Sequence, residues 1–178
     1  AEDEINRTEE LFNILEEKDE LKTADFEAKL CNTKGDILCM NGKAADAIRC
    51  FERSIVLKER LKDYTGLAMS YGTLSGIYKK QGNKTEAVKA AKKSYNYNRV
   101  AKSSFGIYIT SYWLAELYSD LNLSLAFRYA AESFNYSTAK DRSDSLKFIK
   151  GLIASAGEGD IPAELMDYFS SLNSEVVT

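Results

Sequence analysis

Apolar and small residues recur at helical spacing along most of the chain, and polar residues fill the intervals. Over residues 64–81 the stripe is Leu67, Tyr71, Leu74 and Tyr78, and over residues 84–101 it is Ala87, Val88, Ala91 and Tyr95. Steps of three and four place each set on one face of a helix. Gly82 and Asn83 stand between the two stripes. Glycine suits the left-handed conformation that ends a helix, and asparagine caps the next one, so the segment predicts two helices joined by a tight turn. Gly42 predicts the same break one unit earlier, and Asn122 takes the corresponding place one unit later.

The pattern repeats. Leu74-Ser75-Gly76-Ile77-Tyr78-Lys79-Lys80-Gln81-Gly82-Asn83-Lys84-Thr85-Glu86-Ala87 lies 40 residues after Lys34-Gly35-Asp36-Ile37-Leu38-Cys39-Met40-Asn41-Gly42-Lys43-Ala44-Ala45-Asp46-Ala47. Forty residues later runs Leu114-Ala115-Glu116-Leu117-Tyr118-Ser119-Asp120-Leu121-Asn122, with Ala126 following Ala87 by 39. Ser94-Tyr95-Asn96-Tyr97 recurs as Ser133-Phe134-Asn135-Tyr136, and the joint Asp63-Tyr64-Thr65-Gly66-Leu67-Ala68 recurs as Ser103-Ser104-Phe105-Gly106-Ile107-Tyr108. Residues 21–28 are a fainter copy of that joint. Small residues at the crossings (Gly35, Ser75, Ala115; Ala47, Ala87, Ala126) let paired helices approach closely. A single pair leaves an apolar face exposed, so the pairs are expected to stack.

These motifs resemble the tetratricopeptide repeat, whose units carry in order a small residue, an aromatic, a glycine, an alanine, a large apolar residue and a small one. The first unit supplies Gly35, Leu38, Gly42, Ala47, Phe51 and Ser54, and the second Ser75, Tyr78, Gly82, Ala87, Ala91 and Ser94. The third supplies Ala115, Tyr118, Asn122, Ala126, Ala130 and Ser133. The period is 40 residues rather than about 34, and the proline that usually ends a unit is missing. Both features are similar to the extended variety of the repeat found in spindle-orientation adaptors and in bacterial regulators that sense peptides or small ligands. The resemblance implies an all-α solenoid of antiparallel helix pairs in a right-handed superhelix. Its units would be residues 23–63, 64–102 and 103–140. Residues 1–22 would form an N-terminal capping helix or degenerate half repeat, with the stripe Ile5, Thr8, Leu11, Phe12 and Leu15 over residues 2–20. Residues 141–178 would form a degenerate fourth pair with a C-terminal capping helix. There Asp160 is expected to cap, Pro162 to lie in the first turn, and Leu165, Tyr168, Phe169 and Leu172 to cover the last repeat.

The resemblance further implies a protein-interaction scaffold or adaptor that binds a peptide or partner helix along the concave face. The alternative is a ligand- or peptide-sensing regulatory domain of a longer signalling or transcription-regulator protein. The family's groove positions fall on Lys29, Asn32, Asp36 and Cys39, then Met69, Gly72, Gly76 and Lys79, then Ile109, Tyr112, Glu116 and Ser119. Gly72 and Gly76 would leave a floor without side chains. Tyr112 is either a hot-spot anchor or a core residue, whereas Trp113 is read as core. Eleven of the chain's aromatics fall within residues 95–136, and most are expected to fill the interior between units two and three.

Composition narrows the function without naming a partner. The 178 residues include no histidine and one proline, with 44% apolar and 29% charged residues and a net charge of −3. Histidine is the commonest general base and metal ligand, so its absence favours a scaffold over an enzyme, and no cofactor or metal site is expected. Ser137-Thr138-Ala139-Lys140 matches S-x-x-K and Gly157-Glu158-Gly159 resembles a glycine loop, but neither carries the flanking motifs that its chemistry needs. Cys31, Cys39 and Cys50 have neither zinc spacing nor an even count, and are expected to be half-buried free thiols in a cytoplasmic protein. Sequons at Asn6, Asn83, Asn122 and Asn135 coincide at least twice with helix starts, where asparagine caps. The chain opens without Met or a signal-type apolar run, which suggests a processed chain or a piece of a longer one. Residues 79–102 carry eight bases against Glu86 alone. This run is either a solvated helix face or a patch for an acidic partner. With a pI of 5.2 and no recognised motif, no nucleic-acid partner is expected, and no apolar run reaches a membrane span. Weak homo-oligomerisation through the ends of the stack is a further expectation.

Overall fold

The computed structural model describes the backbone of residues 2–157 and 160–174 and the side chains of residues 18–157 and 160–169. Ile5, Thr8, Leu11, Phe12, Leu15 and Leu172, together with Glu158 and Gly159, lie outside the described side chains. Among the described residues there are eight helices and no strand: α1 (Glu2–Met40), α2 (Ala44–Leu61), α3 (Tyr64–Lys80), α4 (Lys84–Val100), α5 (Ser104–Tyr118), α6 (Leu123–Tyr136), α7 (Arg142–Ser155) and α8 (Ala163–Ser174). This is the all-α arrangement of helix pairs implied by the repeat. The chain divides into two compact units, the first ending at Ser70 and the second beginning at Tyr71, so α3 contributes to both.

Four of the turns share one geometry. Gly42, Lys62, Gly82 and Lys102 all have positive φ, at 74°, 53°, 75° and 52°. After each, the chain closes the same pair of bonds, as in Asp63 N–H to the Lys58 carbonyl at 3.0 Å and Lys62 N–H to the Glu59 carbonyl at 3.2 Å. That is the Schellman arrangement, which satisfies the last carbonyls of the finished helix. After three of them the following helix is capped by a side chain: Asn83 accepts from Glu86 N–H at 3.2 Å, Asp63 from Gly66 N–H at 2.8 Å, and Ser103 from Gly106 N–H at 3.1 Å, whereas Lys43 after Gly42 makes no such bond. The α5–α6 turn differs. Asn122 has an extended φ of −162° and accepts from Leu125 N–H at 2.9 Å. It therefore performs the capping role of Asn83 and not the left-handed role of Gly82.

In unit 1, α1 and α2 form an antiparallel hairpin. Gly35 lies under the Phe51 ring, where a Cβ would stand 2.9 Å from two ring atoms. Ser54 donates to the Ala28 carbonyl at 2.8 Å. The sequence predicts a helix over residues 2–20 and a fainter copy of the joint over residues 21–28, yet α1 runs unbroken from Glu2 to Met40. The reason lies in the other joints. At Gly66 a Cβ would fall 2.0 Å from Asp63 Oδ2, and at Gly106 it would fall 2.0 Å from Asn98 Oδ1. The first copy carries Phe26 at that position, so the packed joint is not available and the helix continues.

Unit 2 has its core between α4, α5, α6 and α7, around Ala87, Ala91, Leu114, Ala115, Ala126, Phe127, Ile149 and Leu152. Ser75 donates to the Ala87 carbonyl at 2.9 Å, the close approach that a small residue permits. Helix α8 lays Phe169 against Phe127 with ring centroids 5.4 Å apart, and the Tyr168 hydroxyl donates to Asn135 Oδ1 at 2.8 Å. Asp160 does not cap α8: its carboxylate accepts from Gly157 N–H at 2.7 Å and so closes the loop before the helix. Pro162 is buried at the helix start, and its carbonyl accepts from Leu165 N–H.

Candidate functional site

In unit 2, α3 and α5 bring the predicted groove residues into one small constellation. Gly72, Gly76 and Lys79 follow one another along α3, and Trp113 and Glu116 do so along α5. At Gly72 a Cβ would stand 3.1 Å from Trp113 Cζ3, so the indole lies over this glycine. Gly72 is accordingly buried, which corrects the reading of it as open floor. One turn on, Gly76 is exposed, and a Cβ there meets nothing within 4 Å. Next along the two helices, Lys79 and Glu116 form an ion pair at 2.6 Å with both side chains partly exposed. A strip of bare helix backbone is thus bordered by an indole on one side and an ion pair on the other.

Of the two aromatics, Tyr112 takes the packed alternative, and Trp113 departs from the core place expected of it. Tyr112 is half-buried against Phe148 of α7, with centroids 5.0 Å apart, and burial pushes its phenol pKa up, with Glu116 and Asp144 adding to the shift. Trp113 keeps 37% of its surface exposed. Ile109 is half-buried, and Ser119 closes α5 by donating to the Glu116 carbonyl at 2.8 Å. Of the other aromatics, Tyr95, Tyr108, Tyr118, Phe127 and Phe134 are buried, Tyr129 is half-buried and Tyr136 is exposed.

The remaining groove positions belong to unit 1. Lys29 is exposed and paired with Asp25 at 2.6 Å; Asp36 and Met69 are exposed. Cys39 is half-buried, as are Cys31 and Cys50. Asn32 is half-buried and accepts from the Ser70 hydroxyl at 3.2 Å. Ser70 in turn accepts from Lys58, whose Nζ lies 2.8 Å away and also donates to the Gly66 carbonyl at 3.3 Å. Lys58 is a buried lysine that the sequence reading missed. Desolvation lowers its pKa, against the opposing pull of Asp63 and Asp36. A signal was present: forty residues on stands Asn98, also polar, also buried, and packed under Gly106 as Lys58 is under Gly66.

The basic run over residues 79–102 is largely engaged within unit 2. Lys79 pairs with Glu116, Lys84 with Asp120 and Lys89 with Glu86, each at 2.6 Å. Lys92 stands over the Tyr118 ring, Lys93 over Tyr71 and Arg99 over Tyr95. Six of the eight cations thus lie against a carboxylate or a ring face; a ring face holds a cation without cancelling its charge, so the run keeps a net positive charge. Among the described residues no group of three His, Cys, Asp or Glu side chains is placed to hold a metal ion, and no helix is long and apolar enough to cross a membrane.

No curated protein sequence matches the chain. Residues 25–99 match the tetratricopeptide repeat family model. Those residues carry the Schellman turns at Gly42, Lys62 and Gly82 and the small-residue crossings at Gly35, Ala47, Ser75 and Ala87, and it is over them that the chain is similar to the tetratricopeptide repeat family.

Proposed function

We propose that the chain is a protein-interaction module that binds an extended peptide segment of a partner on the α3–α5 face of unit 2. The observation that carries this reading is the bare backbone at Gly76, set between Trp113 and the Lys79–Glu116 pair. An apolar side chain of the peptide would rest on the indole, the kind of anchor that dominates binding energy at interfaces. A charged side chain beyond it would exchange into the ion pair. Such an exposed pair contributes only about 0–1 kcal/mol to the free protein, so little is lost in opening it. The peptide backbone would lie over Gly76, where any side chain would hold it off.

The test is peptide selection on the wild-type chain, followed by affinity measurement on three variants. Gly76→Leu fills the strip with no neighbour to displace, Trp113→Ala removes the anchor, and Glu116→Lys reverses one arm of the pair. Each is expected to weaken the selected peptides by about tenfold or more. Selected peptides that bind all three variants as tightly as wild type place the interaction elsewhere.

A further inference from the structure

Helix α1 is amphipathic in two opposed directions. Ala24, Ala28 and Gly35 are buried on the face packed within unit 1. Half a turn around the helix, at 100° per residue, stand Phe26, Leu30, Thr33, Ile37 and Met40. These are all exposed, the four apolar ones at 69%, 56%, 53% and 86%. The steps are four, three, four and three residues, the spacing of a coiled-coil seam. A lone surface helix puts charge on this face, and scattered exposed apolar residues need no explanation, but a continuous seam about 21 Å long does. The preceding part of α1 does not cover it, because the helix runs straight on from Glu2.

The flanks of the seam identify an occupant. Lys29 and Asp36 border it on one side, and Glu27 and Lys34 on the other. When a second copy is laid antiparallel, Leu30 faces the second copy's Thr33, Phe26 faces Ile37 and Thr23 faces Met40. In that register Glu27 stands opposite Lys34, and Lys29 opposite Asp36, and the two-fold axis repeats both pairs. The overlap ends where α1 ends, at Met40. A parallel pairing instead sets Lys29 against Lys34 and puts Asp19 against Asp19 in the seam, so charge selects the antiparallel arrangement. The existing bonds are compatible with it. Arg53 Nε and Nη2 both donate to Oε1 of Glu27, at 3.0 and 2.9 Å, and the Lys29–Asp25 pair is exposed and readily exchanged. We infer that the chain forms an antiparallel homodimer through the Phe26–Leu30–Ile37–Met40 face of α1.

Sedimentation velocity on the 178-residue chain over about 1–200 μM tests this, a range that detects dissociation constants of micromolar order. Wild type is expected to pass from monomer to dimer within it. Leu30→Glu is expected to stay monomeric with an unchanged melting temperature at the dilute end, because Leu30 contributes little to the monomer's own core. Lys34→Glu discriminates direction: facing Glu27 of an antiparallel copy it raises the dissociation constant by about tenfold, whereas facing Lys29 of a parallel copy it lowers it. A wild type that remains monomeric at the highest concentration overturns the inference. So does a dimer that survives Leu30→Glu, or one that Lys34→Glu tightens.

Discussion

Alanine at Gly106 and alanine at Gly76 should move stability in opposite directions, although both glycines are helical. In a helix interior, Gly→Ala gains about 0.5–1 kcal/mol by removing backbone freedom from the unfolded chain. At Gly76 nothing opposes that gain, since a Cβ would meet no atom within 4 Å. At Gly106 a Cβ would fall 2.0 Å from Asn98 Oδ1, 2.4 Å from its Cγ and 2.9 Å from Ser103 Oγ. Asn98 is buried and short, so it cannot swing clear into solvent. Ser103 is the cap that accepts from Gly106 N–H. Losing the cap costs about 1 kcal/mol, and overpacking a closed site costs about 1–3 kcal/mol. Set against the propensity gain, the net loss is on the order of 1–3 kcal/mol. For a chain of this length each kcal/mol shifts the midpoint by about 2–4 °C. Thermal unfolding followed by far-UV circular dichroism, with urea titration as a second measure, should therefore separate the two variants by several degrees. Gly106→Ala proving as stable as Gly76→Ala would refute the claim that the joint requires a residue without a Cβ, and with it the reason given for the unbroken α1.

Lys62→Gly and Lys102→Gly should each stabilise the chain by about 0.5–1 kcal/mol, because both lysines hold φ near +50°, where a Cβ is penalised; a loss in urea midpoint for either would show that the lysine side chain outweighs the backbone strain. Asn122→Ala should cost about 1 kcal/mol by removing the cap on α6, while Asn122→Asp should restore most of it. Tyr95 should titrate late: burial and its hydrogen bonds to Glu132 push its phenol up to about 12. Its contribution to stability is then full below the unfolded value near 10 and is lost as pH rises through about 12. Ultraviolet titration of wild type against Tyr95→Phe reads this directly, and a Tyr95 phenol that ionises near 10 would contradict the burial argument.

The helix pairs, the turns and the crossings were legible in the sequence because each rests on local physics that repeats every 40 residues. Gly42 and Gly82 mark left-handed turns, Asn83 and Asn122 mark caps, and Gly35, Ala47, Ala87 and Ala126 mark close approaches. Lys62 and Lys102 were not legible as left-handed residues, since nothing about lysine signals positive φ; only the hydrogen bonds of the finished turn impose it. The joint expected within residues 21–28 did not form because its copy lacked one atom-sized condition, a residue without a Cβ where Phe26 stands.

Periodicity assigns residues to faces, but it does not say what meets each face. Tyr112 and Trp113 are neighbours 100° apart on α5, and which of them turns outward depends on α7 supplying Phe148 to one and α3 supplying the bare Gly72 to the other. Lys58 reads as one more charge on a solvated helix until α3 closes over it and Ser70 and Gly66 become its partners. The outer seam of α1 likewise needed the tertiary structure: the spacing was in the sequence, but only the packing of Ala24, Ala28 and Gly35 within unit 1 left Phe26, Leu30, Ile37 and Met40 facing outward. The sequence by itself determined the repeat and its helices, because turns and caps are decided within a few residues. The tertiary structure decided which side chains remain available to a partner, because exposure depends on what the neighbouring helices cover.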